Sequence, residues 1–181
     1  DAASLSDFIV ALFIDNVATD ISDAQIDVFG SQLQATLSGQ GMRIIERRDV
    51  LNAVSSLRAG TANAGTGDSN ETRTQYAFSD QASVLSIARP LGADAVLRAT
   101  ITSLNAEVIG TAEVGQIVAT GTVSATWSLL SGSTGASVDG GIAAASEKFR
   151  ANPDRLRIES NLVARLLEEN AHSIARAASR S

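Results

Sequence analysis

Four aspartates, Asp15, Asp20, Asp23 and Asp27, follow an apolar run in "VALFIDNVATDISDAQID", Val10 to Asp27. Carboxylates at this spacing suggest three kinds of chemistry. An aspartate just past the first strand of an α/β sheet lies where ligands of such sheets bind, at strand carboxyl ends. Phosphoryl transfer through Asp15 would want a second carboxylate two residues on, to act as acid/base or to hold Mg2+; that position is Val17. An adhesion-type metal site would want hydroxyls at the second and fourth positions after the aspartate, and Val17 fails this as well. A calcium loop wants oxygen ligands at alternate positions and a closing glutamate. "DNVATDISDAQI" offers Val17, Thr19, Ile21 and Asp23 in those slots, with Ile26 in place of the glutamate.

The same stretch satisfies a simpler demand. Ser22 followed by Gln25 has the spacing of a capping box, in which each side chain satisfies the other residue's backbone donor. Asp23 and Asp27 in the opening turns would favour the positive end of the helix dipole, and Asp20 would sit just outside. The acidic stretch therefore reads as a helix start rather than a reaction centre.

Other catalytic sets are thin. His172 is the single histidine and there is no cysteine, which removes thiol nucleophiles, zinc-thiolate sites and disulfides. Glu168 and Glu169 are adjacent and diverge on a helix. No G-x-S-x-G elbow is present. "GTANAGTGDS" is glycine-rich but lacks the Gly-Lys-Ser/Thr ending of a phosphate loop. "NET" at Asn70 matches a glycosylation sequon, which occurs often by chance. No catalytic residue, cofactor or metal ligand is assigned.

The elements that would position these residues follow from periodicity. Phe8 to Ile14 predicts a strand buried on both faces. Ile26, Phe29, Leu33 and Leu37 recur at helical spacing, closed by Gly39 and Gly41. "MRIIE", Met42 to Glu46, predicts a second strand, and the βαβ order makes the two strands parallel with a right-handed crossover. A second helix has Val50, Leu51, Val54 and Leu57 inward. Arg58 to Gln75 then reads as a long polar, mobile insertion. Helical signal resumes at Ser79 with Val84, Ile87 and Ala88 inward, and ends at Pro90 and Gly92.

Ala93 to Leu104 and Gly115 to Leu130 alternate as strands, with a bulge expected at Gly121. "SGSTG", Ser131 to Gly135, turns the chain, and Ala136 to Ser146 returns antiparallel. Asn152 as N-cap, Pro153 at the first position and Asp154 beside it predict the start of a last helix. Its inward stripe is Leu162, Val163, Leu166, Leu167, Ala171, Ile174 and Ala178. The fold class expected is α/β (α+β): one domain over 1–181, order β-α-β-α-(loop)-α-β-β-β-α. Its mixed sheet has a parallel start and an antiparallel meander, with helices packed on it.

Composition narrows the function. The 181 residues suit one domain and are 44% hydrophobic, 19% charged and 4% aromatic, which is globular rather than disordered. The net charge of -6 argues against nucleic acid, whose phosphates need a surplus of Lys and Arg. Arg43, Arg47 and Arg48, the nearest thing to a basic patch, alternate with Glu46 and Asp49. No apolar stretch reaches the ~18 residues of a membrane span. The opening "DAASLSDFIV" has no basic n-region with an apolar core and reads as a trimmed start, so a signal peptide or lipid anchor would not be seen.

Three stretches together resemble the superfamily grouping the curli secretion protein CsgG, the penicillin-binding-protein activator LpoB and the N-terminal domain of TolB. "MRIIERRDVLNAV", Met42 to Val54, is similar to that family's strand ending in Glu-Arg and the helix after it. "IARPLGADAVLRATIT", Ile87 to Thr102, resembles its helix, Leu-Gly-Ala-Asp turn and strand. "VSATWSLLSGSTGASV", Val123 to Val138, resembles its long strand, Thr-Gly hairpin turn and return strand. The resemblance implies a non-enzymatic bacterial cell-envelope interaction domain, in the periplasm or at the inner face of the outer membrane. Such a domain would activate or scaffold envelope assembly machinery through an unidentified protein partner. Its membrane contact would run only through a lipid anchor, and it could form a homo-oligomer. Tyr76 and Phe78, among the few aromatics, are the candidate partner anchors. Two other expectations stand beside this one: a small metal- or ligand-dependent enzyme using Asp15, and a self-assembling structural subunit.

Overall fold

A computed structural model of the chain describes residues 8–45, 47–62, 81–112, 115–154 and 156–180. Its elements in chain order are β1 (Ile9–Asn16), α1 (Asp23–Gly39), β2 (Arg43–Ile45), α2 (Arg47–Ala62), α3 (Gln81–Leu91), β3 (Ala95–Thr111), β4 (Ile117–Ser131), β5 (Ser137–Ala151) and α4 (Ser160–Ala178). They form one sheet of order β2-β1-β3-β4-β5. β1 runs parallel to both β2 and β3, whereas β3, β4 and β5 form an antiparallel meander. The α+β class and element order expected from periodicity are those observed.

The layering follows from the handedness of parallel crossovers. The chain leaves β1 for β2 on one side, then returns past β1 to β3 on the other. Both connections are parallel and hence right-handed, so opposite directions of travel place their helices on opposite faces. α1 accordingly packs with α4 on one face, and α2 with α3 on the other. The larger core joins Leu12, Leu97, Ile101, Val123 and Trp127 of the sheet to Phe29, Leu33 and Leu37 of α1 and to Leu166, Leu167 and Ile174 of α4. The smaller core joins Ala11, Phe13 and Val96 to Val50 and Val54 of α2 and to Val84 and Ile87 of α3. The whole stripe expected on the last helix is buried, as is the stripe expected on α1.

Four local expectations are corrected. Leu51 is 47% exposed, because the arc of α2 that meets the sheet is narrow enough for Val50 and Val54 to fill. Gly121 carries no bulge: it pairs regularly with Ala106, and the register shifts of β3 against β4 fall at Ile101/Ser103 and Val108/Gly110. Its actual constraint is space, since a Cβ there would lie 3.2 Å from Ile158 and 3.5 Å from both Leu162 and Leu166. Asn152 caps no helix. Its Oδ1 accepts the Asp154 amide at 3.0 Å in a turn after β5, and α4 begins only at Ser160 behind Glu159. Turn and N-cap use the same asparagine chemistry, so the residue types alone do not separate them. Finally, α2 runs to Ala62, so helix occupies the first residues of the 58–75 stretch read as a loop. The rest of that stretch, with Tyr76 and Phe78, lies outside the described residues.

Candidate functional site

The carboxyl end of β1 is where the acidic stretch would act. Asp15 there has one carboxylate oxygen accepting the Asn16 amide at 2.9 Å, and the other 4.0 Å from the Arg98 guanidinium on β3. Asn16 closes the loop from both ends: its Oδ1 accepts the Ala18 amide at 3.0 Å and its Nδ2 donates to the Ile21 carbonyl at 3.2 Å. The Val17 amide donates to the Ile101 carbonyl at 3.0 Å, which extends the parallel pairing one residue past the strand.

The capping box is present as expected. The Ser22 amide donates to Gln25 Oε1 at 2.9 Å, and the Gln25 amide donates to Ser22 Oγ at 3.3 Å. Asp23 stands in the first turn of α1. Asp20 and Asp23 are both exposed. Among the described residues no three His, Cys, Asp or Glu side chains come together where they could hold a metal ion. Because the hydroxyl and amide here hold the start of α1, Ser22→Ala is expected to lower stability by ~1 kcal/mol in urea denaturation.

An open groove of about 780 Å³ lies beside this turn. Thr19, Asp20, Ile21, Ser22 and Gln25 form one wall, and Leu156, Arg157, Ile158 and Ser160, leading into α4, form the other. Its charged members among the described residues, Asp20 and Arg157, are of opposite sign and provide no acid/base pair. At the opposite end of the sheet a second cavity of about 640 Å³ has an apolar lining that includes Val10, Met42, Leu97, Leu129 and Ala178, with Phe8 and Val138 among its residues.

His172 is exposed and joins α4 to α1, with Nδ1 3.3 Å from Thr36 Oγ1 and Nε2 3.8 Å from Glu168. The polar residue that sequence reading passed over is Asn170. It is fully buried, and its Nδ2 donates to the carbonyls of Val123 on β4 at 3.2 Å and Ala143 on β5 at 3.1 Å. The available signal was positional: Asn170 falls within the apolar stripe, three residues after Leu167 and four before Ile174.

The outer strand of the meander supplies the most exposed apolar surface. Ile142 and Val138, both on β5, are 78% and 54% exposed, the highest values among the large hydrophobic residues described. Beyond β5 no further strand is paired among the described residues.

No protein-family model matches the sequence, and no curated protein matches it. Solved structures do match the fold. The hypothetical protein CT253 from Chlamydia trachomatis aligns over 95% of this chain and 95% of its own, at 11% identity and a TM-score of 0.57. Lipoprotein GNA1162 from Neisseria meningitidis aligns over 93% of this chain and 99% of its own, at 18% identity and a TM-score of 0.48. The LpoB C-terminal domain from Salmonella enterica aligns over 84% of this chain and 87% of its own, at 12% identity and a TM-score of 0.41. At 11% identity the likeness to CT253 is one of fold. An LpoB domain, part of the resemblance drawn from the motifs, is thus among the structures matched; the likeness to CsgG and TolB rests on the motifs alone.

Proposed function

We propose that this chain is a non-enzymatic interaction domain of the bacterial cell envelope, facing the periplasm and activating or scaffolding envelope assembly machinery. One observation carries the reading: at the carboxyl end of β1 the side chains of Asp15, Ser22 and Gln25 are engaged with backbone amides of the β1–α1 turn. Asp15 accepts from the amide of the next residue, and the hydroxyl and amide of Ser22 and Gln25 satisfy each other across the start of α1. The envelope setting comes from the motif resemblance. Affinity for a partner protein would rest on a few apolar or aromatic anchors, and Tyr76 and Phe78 are the anchors proposed.

The test is a pull-down from envelope extract with the full chain as bait. Tyr76→Ala combined with Phe78→Ala is expected to lose the captured partner, whereas Asp15→Asn is expected to retain it. An unchanged pull-down with the aromatic double variant removes those anchors. A reaction in purified protein that disappears with Asp15→Asn overturns the non-enzymatic reading itself.

A further inference from the structure

The cavity of about 640 Å³ at the end of the sheet opposite the acidic turn has the size and the lining of a small-molecule site. Its floor belongs to the larger core. Val10, Leu97 and Leu129 come from three neighbouring strands, Met42 precedes β2, and Ala178 ends α4. All five are buried. Aliphatic side chains return no hydrogen bond to a polar group, so what this floor accepts is hydrocarbon. On the order of twenty water-sized groups, at ~30 Å³ each, fit in such a volume. That suits one hydrocarbon chain with a small head rather than two chains.

The head is selected by charge. Among the described residues the cavity has two charged members, Arg89 in the last turn of α3 and Asp94 just before β3, and both are exposed. They do not neutralise each other: neither has an ion pair among the described residues. Asp94 accepts the Ile9 amide through Oδ2 at 2.8 Å, which fixes its carboxylate in place. Its other oxygen has no hydrogen-bond partner among the described residues. Opposite charges that stand unpaired on one cavity are complementary to a head that carries both. A head with a single charge is attracted by one of them and repelled by the other.

We propose that this cavity binds a single-chain zwitterionic amphiphile, its tail on Val10, Leu97, Leu129 and Ala178, its anionic group at Arg89 and its ammonium at Asp94. The site goes beyond the docking function, since it takes a small molecule and uses none of the residues assigned to a protein partner. The tail supplies the affinity, at about a fourfold gain per methylene buried. The head supplies the choice, because an exposed ion contact adds about fivefold at most.

The test is calorimetric titration of the full chain with lysophosphatidylethanolamines of increasing chain length, below their micelle concentrations. One saturable site is expected, with affinity rising about fourfold per methylene until the cavity is full. Ala178→Leu adds three carbons to the floor and is expected to weaken the longest chain on the order of tenfold or more. Val138→Trp is a second block on a cavity residue that is 54% exposed, so it is expected to weaken binding with unchanged circular dichroism. A fatty acid and an alkylammonium of equal chain length are expected to bind more weakly than the zwitterion. Arg89→Gln is expected to raise the alkylammonium and lower the fatty acid. Asp94→Asn, which keeps an oxygen for the Ile9 amide, is expected to do the reverse. No saturable site at any chain length overturns the proposal, as does binding that neither Ala178→Leu nor Val138→Trp alters. Equal affinity for the three heads overturns the zwitterionic assignment.

Discussion

Asn170→Asp is expected to destabilise the fold by ~3–5 kcal/mol, the range for leaving a charge buried without a partner. The native amide donates to two carbonyls, Val123 and Ala143, and so ties α4 to β4 and β5 at one point. A carboxylate offers oxygen to oxygen at both contacts, in a position with no solvent exposure. Burial and the two carbonyl dipoles both favour the protonated form, so the introduced carboxyl would titrate above its unfolded value of ~3.9. The folded variant then binds more protons than the unfolded one, and its stability falls as pH rises from about 4. Urea denaturation at pH 4 and pH 7 checks this: the variant should lose less relative to the parent at the lower pH. Asn170→Leu serves as the control. It removes the donor but also the native Oδ1, which has no hydrogen-bond partner, and is expected to cost less than the aspartate. Equal loss for both variants would show that the site responds to shape rather than polarity.

Gly132→Ala is expected to destabilise the fold by a different route. The amide of Gly132 donates to the Asp94 carbonyl at 2.7 Å, which draws the β4–β5 turn against the segment that leads from α3 into β3. A Cβ at this position would lie 2.0 Å from the Ala93 carbonyl oxygen and 2.9 Å from that of Asp94. These are backbone atoms at the start of a central strand, and no side-chain rotation relieves the contact. The turn or the strand must shift, at a cost of roughly 1–3 kcal/mol or more from overpacking. Thermal unfolding should show the loss, while Gly39→Ala, where a Cβ meets nothing within 4 Å, should leave the midpoint nearly unchanged.

The parts of this fold legible in the sequence were those governed by period. The helical stripes of α1 and α4 and the buried run of β1 were each specified by several residues in agreement, so one ambiguous position could not mislead. Ends were harder. Asn152-Pro153-Asp154 carries equally good chemistry for a turn and for a helix start, and only the length of β5 decides between them. Gly121 looked like a bulge because glycine marks both bulges and close approaches; the approach is made by Ile158, Leu162 and Leu166, more than thirty residues away. At the candidate site the capping box was legible because its two residues are three apart. The bond from Asn170 to two strands was not, because neither the spacing nor the residue types of Val123 and Ala143 announce a carbonyl in need of a donor.

The level at which α4 meets Gly121 leaves the far end of β3 exposed. Leu162 and Leu166 rest over Gly121, which pairs with Ala106, and the five residues Glu107 to Thr111 that continue β3 beyond this point are all exposed. At ~3.3 Å per residue that is a ribbon on the order of 16 Å long. Val108 and Ile109 stand about half exposed on it. Both side chains stand on the part of β3 that lies beyond the Gly121 contact.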